Sequence, residues 1–204
     1  IFSDLEKYFA TALSSKASIV ILNKETECPP GKAILVVDEP FEAYDSLVRE
    51  FRPFVPLTAN ISESAEVHPS TIIEPNAVIG HHVRIGKNCH IQANAFIGDY
   101  TIIGDNVNIQ AGALIGTNAF YYKRTEEKVH KKWHTGGRVV IESNVEIGAG
   151  CTLNAGVSGD TYIGAGTKFD SQIHIGHDAV VGRDCPFAAQ VGIGGNTIIG
   201  DRVV

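Results

Sequence analysis

Residues 170–182 read DSQIHIGHDAVVG, and two of them, His174 and His177, carry side chains able to move a proton near neutral pH. An imidazole with the ordinary pKa of about 6.5 keeps a neutral, basic fraction at pH 7 and can take a proton from an attacking nucleophile. The plainer alternative is a histidine exposed on a turn. The large aliphatics around the pair, Ile163, Phe169, Ile175 and Val181, recur every sixth residue. That period is neither the roughly 3.6 of a helix nor the alternation of about two in a bare strand.

The six-residue period is general. From Ile61 it runs through Val67, Ile73, Ile79, Ile85, Ile91, Ile97, Ile103, Ile109 and Ile115. It resumes at Ile141, Ile147 and Leu153, and after four surplus residues continues from Ile163 through Ile199, giving 20 units. Four places after each anchor stands a small or β-branched residue, among them Ala77, Val83, Cys89, Ala95 and Thr101. Such units build a prism. The anchor fills the interior, and the small residue fits the tapering centre. Gly, Asn and Asp at the corners accept the φ of a sharp bend. Stacked coils then hydrogen-bond along the axis at about 4.8 Å, like strands of any sheet.

Two stretches depart from this pattern. Before residue 57, Ser3-Asp-Leu-Glu6 spells a capping box ahead of a helix reaching about residue 14. SIVIL (18–22) and AILVV (33–37) read as strands, and Phe41, Tyr44, Leu47, Val48 and Phe51 as a helical stripe. The expected organisation is a small α/β domain over 1–57 and a repeat domain over 58–204. The second departure is AFYYKRTEEKVHKKWHTGGR (119–138), with six basic residues against two acids and the only Trp. In a chain of net charge -6 this is a local positive loop, either a solvated excursion or a flap over an anionic ligand.

The acidic balance argues against nucleic acid. No apolar run approaches the roughly 18 residues of a membrane span. Cys28, Cys89, Cys151 and Cys185 fit no zinc spacing, and three of them occupy the small interior position. They read as buried thiols of a reducing compartment, the cytoplasm. The absent Met and a repeat still running at Val204 read as a piece of a longer chain, truncated at both ends.

Three segments are more specific than a generic repeat. GRVVIESNVEIGAGCTLNAG (137–156), GDTYIGAGTKFDSQIHIGHDAVVG (159–182) and FSDLEKY (2–8) before KASIVIL resemble the UDP-3-O-acylglucosamine N-acyltransferases, within the hexapeptide-repeat acyltransferases. The resemblance implies a mainly β chain: a left-handed parallel β-helix of three hexads per coil, preceded by a uridine-binding α/β domain. It implies a homotrimer acting in lipid A biosynthesis. The reaction would move a 3-hydroxyacyl chain from acyl carrier protein to the 2-amine of a UDP-linked, 3-O-acylated glucosamine. No metal and no cofactor beyond the carrier thioester are implied.

Carried over position by position, His177 matches the general base and Asp170 a carboxylate supporting it, expected to fix the tautomer through Nδ1. Gly195 matches the glycine whose N–H faces the thioester oxygen. Phe2 and Tyr8 match aromatics flanking uracil, and His174, Ser171 and Gln172 line the acceptor cleft. Leu5, Ser171 and Asn154-Ala155 stand where the family commonly has Asn, Asn, and Asp followed by a basic residue. Three other readings compete with this one: an acetyl-CoA-dependent nucleotide-sugar N-acetyltransferase, a non-catalytic paralogue, and a zinc hydrolyase recruiting His81, His82, His174 and His177.

Overall fold

A chain that bends every six residues favours a left-handed residue at the bend. In the computed structural model, which describes residues 1–125 and 127–204, that residue falls three places after the anchor. Asn76, Asn88, Asn94, Asn106, Asn144 and Asn196 stand there with φ between 55° and 63°, and Gly112, Gly150 and Gly166 share the position. Asn and Gly tolerate this region best. Tyr100 and Arg202 adopt it too, at φ 63° and 57°, Tyr100 with its ring stacked on His82 of the preceding coil.

The glycine that often follows an anchor has another cause. Gly182 has no positive φ, but a Cβ on it would lie 2.5 Å from the Gly200 carbonyl carbon of the next coil. Gly148 and Gly164 are pressed in the same way against Asp170 and Gly182. These glycines let coils approach rather than turn.

The described strands close three parallel faces. The first sheet has seven strands, from Glu66–Val67 to Ile198–Ile199. The second has six, from Ile72–Ile73 to Pro186–Phe187, and the third six, from Val78–Ile79 to Gly192–Ile193. Ile61, the first anchor, joins the third sheet through a single bridge to Ile79. Together they form a left-handed parallel β-helix. Its interior is one continuous column in which Ile79, Ile91, Ile97, Ile109, Ile115, Ile147 and Leu153 are fully buried. Cys89, Cys151 and Cys185 lie in it, as their register requires.

The pairing also locates the two irregularities. Ile85 pairs with Ile103, three hexads on, which is one coil. Ile103 pairs with Ile141, so twenty residues beyond the length of a coil leave it between them. Ile141 pairs with Ile163, and there the surplus is four. Both excursions depart from the corner joining the third sheet to the first: one between Leu114–Thr117 and Arg138–Ile141, the other between Thr152–Asn154 and Asp160–Ile163. The longer excursion folds as an antiparallel hairpin of Tyr122–Arg124 and His130–Lys132. Glu126, one of its two acids, lies outside the described residues.

The chain separates into two units, Ile1–Phe54 and Val55–Val204. In the first, Phe2–Ser3, Ile19–Leu22 and Ala33–Val36 form a parallel sheet with Ile19–Leu22 in the middle. Helices span Phe9–Ser14 and Pro40–Phe51. The capping box does not form. Ser3 sits in a strand with its hydroxyl donating to the Leu5 carbonyl at 3.0 Å, and a 3-10 turn over Glu6–Tyr8 leads into the helix. The stripe predicted for the second helix is only partly inward. Phe41 is buried, whereas Leu47 and Phe51 are exposed, and the inward position between them is Asp45, which accepts from Arg49 Nε at 2.7 Å. Among the described residues no helix is long and apolar enough to cross a membrane.

The stacking account separates two glycines. Gly182→Ala, whose methyl meets the next coil's backbone, should destabilise by about 1–3 kcal/mol. Gly192→Ala, with nothing within 4 Å of the added methyl, should stay within about 0.5 kcal/mol of the parent. Denaturant unfolding followed by circular dichroism reads both.

Candidate active site

The corner between the third and first sheets recurs once per coil. Two residues after Ile175 it presents His177, and one coil on, two residues after Ile193, it presents Gly195. Asp178 takes the left-handed position with φ 55°, and this bend turns its carboxylate back beside the preceding ring. Asp178 Oδ2 lies 2.9 Å from His177 Nδ1. An ionised carboxylate only accepts, so Nδ1 carries the proton and Nε2 keeps the basic lone pair.

The carboxylate is itself held. Val157 N–H donates to Oδ2 at 2.8 Å and Gly159 N–H to Oδ1 at 3.0 Å, while Thr161 Oγ1 accepts from the Asp178 N–H at 2.8 Å. Both backbone donors belong to the shorter excursion. That irregularity of the repeat therefore fixes the partner of the histidine.

Two other walls close on the imidazole. A Cβ at Gly195 would fall 2.5 Å from His177 Nε2 and 2.7 Å from Cε1, so only glycine lets the backbone lie against the basic nitrogen. On another side stands Tyr121, from the base of the hairpin, with ring centroids 5.0 Å apart and planes at 75°. Tyr121 in turn meets Trp133 at 5.0 Å and 67°. The His177 side chain keeps 12% of its surface, enough for one approach. Asn154 Nδ2 donates to Thr117 Oγ1 at 2.8 Å, and Gly136 N–H to the Val157 carbonyl at 2.9 Å, tying the two excursions together. Asn154 is buried, so at this departure from the resemblance the side chain serves the hairpin's base.

The remaining predicted residues lie elsewhere. Asp170, Ser171 and Gln172 occupy the corner between the second and third sheets, one edge back from His177. The expectation that Asp170 fixes the tautomer gives way, because Nδ1 is taken by Asp178. Asp170 Oδ1 instead accepts from the Ser171 N–H at 2.7 Å. Gln172 Oε1 accepts from Gln190 Nε2 at 3.3 Å. His174 points outward from the third sheet, in register between Thr152 and Gly192, and is exposed. In the N-terminal unit, the Phe2 ring packs on Tyr44 at 5.0 Å and on Phe41 at 6.1 Å, and Tyr8 is exposed on the 3-10 turn. Burial pushes the thiols of Cys89 and Cys151 above the ordinary range, which suits packing and not nucleophilic attack. Asp178 and Tyr121 escaped the sequence reading. The signals were present: an Asp directly after a corner histidine, and an aromatic run FYY opening the excursion.

The chain matches the bacterial transferase hexapeptide model (six repeats) over residues 64–99 and the hexapeptide repeat of succinyl-transferase over 82–117. Along 88% of its length it is 38% identical to the UDP-3-O-acylglucosamine N-acyltransferase of Helicobacter pylori, of which it covers 60%. It is 36% identical to the enzyme of that name from a Bradyrhizobium species, again over 88% of the chain and 59% of the relative. The chain is thus similar in sequence to UDP-3-O-acylglucosamine N-acyltransferases. It spans about 60% of the length of the curated relatives it matches. Among solved structures, the UDP-N-acetylglucosamine acyltransferase of Francisella novicida superposes with a TM-score of 0.63 at 31% identity, over 72% of this chain and 52% of that one. The O-acyltransferase of Moraxella catarrhalis gives 0.62 at 31% identity, over 72% of this chain and 55% of that one.

The geometry assigns the tautomer to one carboxylate. Nitrogen-15 NMR should show His177 as the Nδ1–H form in the parent. Asp178→Asn should mix the two tautomers, and Asp170→Asn should leave the spectrum of His177 unchanged.

Proposed function

We propose that the full protein is an N-acyltransferase of lipid A biosynthesis, moving a 3-hydroxyacyl chain from acyl carrier protein to the 2-amine of UDP-3-O-acylglucosamine. One observation carries this reading: His177, with Nδ1 on Asp178 and Nε2 beside the Gly195 backbone, in a chain similar along 88% of its length to enzymes of that name.

The steps follow from the site. The amine nitrogen attacks the thioester carbonyl while His177 Nε2 takes its proton. The tetrahedral intermediate carries an oxyanion, and the Gly195 N–H is assigned as its donor, as the resemblance implies. One such donor is typically worth about 2.7–4 kcal/mol of barrier. The intermediate collapses to the amide and expels the carrier's thiolate, which recovers the proton from the imidazolium. No acyl-enzyme forms. Phe2 and Tyr8 are assigned to the uracil, and Ser171, Gln172 and His174 to the rest of the acceptor.

The Lys123, Arg124, Lys128 and Lys131 side chains of the hairpin suit docking of an acidic carrier. A homotrimer is supported by the resemblance and by the outward column of the first sheet, where Ile102, Val140, Tyr162, Val180 and Ile198 follow one another in register. In such an assembly Asp170, Ser171 and Gln172 of one copy would meet the His177 edge of its neighbour. The free cysteines support a cytoplasmic setting.

The test is product mass. Full-length protein given 3-hydroxyacyl carrier protein and UDP-3-O-acylglucosamine should yield a product heavier by one hydroxyacyl group. His177→Ala should lower the rate by about 10²–10⁴-fold. Turnover with acetyl-CoA alone, or none at all, would overturn the assignment.

A further inference from the structure

The sequence motif accounts for His177, and the repeat accounts for Gly195, but neither accounts for Tyr121. This residue belongs to the hairpin, outside the coil ladder, yet its ring lies 5.0 Å from the His177 imidazole at 75°. Behind it stands Trp133, whose backbone N–H donates to the Tyr121 carbonyl at 3.2 Å. The two residues flank the paired strands Tyr122–Arg124 and His130–Lys132, so they fix each other across the base of the hairpin.

A histidine held by one hydrogen bond at Nδ1 still has freedom about χ1 and χ2. Asp178 anchors one edge of the ring, and the Gly195 backbone blocks one direction of movement. Tyr121 stands edge-on to the ring, 5.0 Å away between centroids. We propose that Tyr121 is a positioning residue. It confines the imidazole to the rotamer in which Nδ1 meets Asp178 and Nε2 lies against the Gly195 backbone, and it makes the base depend on the state of the hairpin. The proposal rests on the base role proposed for His177. The requirement is for an aromatic face rather than the phenol, since the contact is ring to ring.

The experiment compares full-length parent, Tyr121→Phe and Tyr121→Ala. Side-chain couplings and nuclear Overhauser contacts of His177 report its rotamer, and steady-state kinetics report kcat and KM. A single rotamer is expected in the parent and the Phe variant, and averaging in the Ala variant. kcat should fall by about ten- to hundredfold in Tyr121→Ala, with acceptor KM within about twofold, and recover in Tyr121→Phe. A single His177 rotamer persisting in Tyr121→Ala would overturn the proposal, even if the parent shows no transfer. So would averaging with kcat unchanged. An inactive parent with averaging only in the Ala variant would support the positioning and sink the acyl-transfer reading instead.

Discussion

The backbone ladder between coils governs the rest of the molecule. Each coil of three hexads donates and accepts along the axis, as when Gly164 N–H meets the Val181 carbonyl at 2.8 Å and Gly182 N–H the Ile199 carbonyl at 2.9 Å. In a parallel ladder of this kind an extra residue within a face would turn every following anchor outward unless a bulge absorbs it, as between Ile115 and Thr117 at the start of the longer excursion. Longer surpluses leave at a corner. In this chain both surpluses leave at the same corner, and that corner carries His177. The excursions are therefore material for the site. The short one binds Asp178 through two N–H groups, and the long one sets Tyr121 against the imidazole.

The same ladder explains how a surface histidine acquires a defined environment. Stacking repeats a corner every coil, so His177 meets Gly195 directly above it. The left-handed residue of the bend is Asp178, and its φ of 55° folds the carboxylate onto the neighbouring ring. Elsewhere along this edge the corner position holds other residues and does other work. His81 N–H donates to Asp99 Oδ1, and His82 stacks on Tyr100 at 4.9 Å. Beside the excursions the corner acquires a carboxylate bonded to the ring of His177 and an aromatic wall against it.

The fold was legible because its periodicity is global. Twenty in-phase anchors specify faces, interior and coil length, and the two breaks in phase point to where pairing must skip. The site was legible only through its histidine and its glycine. Asp178 was missed because a residue adjacent in sequence is expected to point away, which holds for a strand and fails at a left-handed bend. Asp170 was favoured by its spacing, but spacing within a prism fixes the edge as well as the distance, and it falls on the neighbouring edge. Tyr121 depends on a hairpin whose fold leaves no periodic trace. In the N-terminal unit, local spelling misled in the opposite sense: Ser3 pairs as a strand residue, and tertiary pairing prevailed over the cap.

The central claim is that His177 acts as a base whose orientation and tautomer come from Asp178. It is tested most directly by single-turnover acyl transfer in the full-length protein with carrier-bound hydroxyacyl donor and the UDP-sugar acceptor in excess. Asp178→Asn, which preserves shape but can present an N–H to Nδ1, should slow the chemical step by about 10²-fold or more, with Asp170→Asn far less affected. An Asp178→Asn protein that transfers at the parent rate would contradict the account.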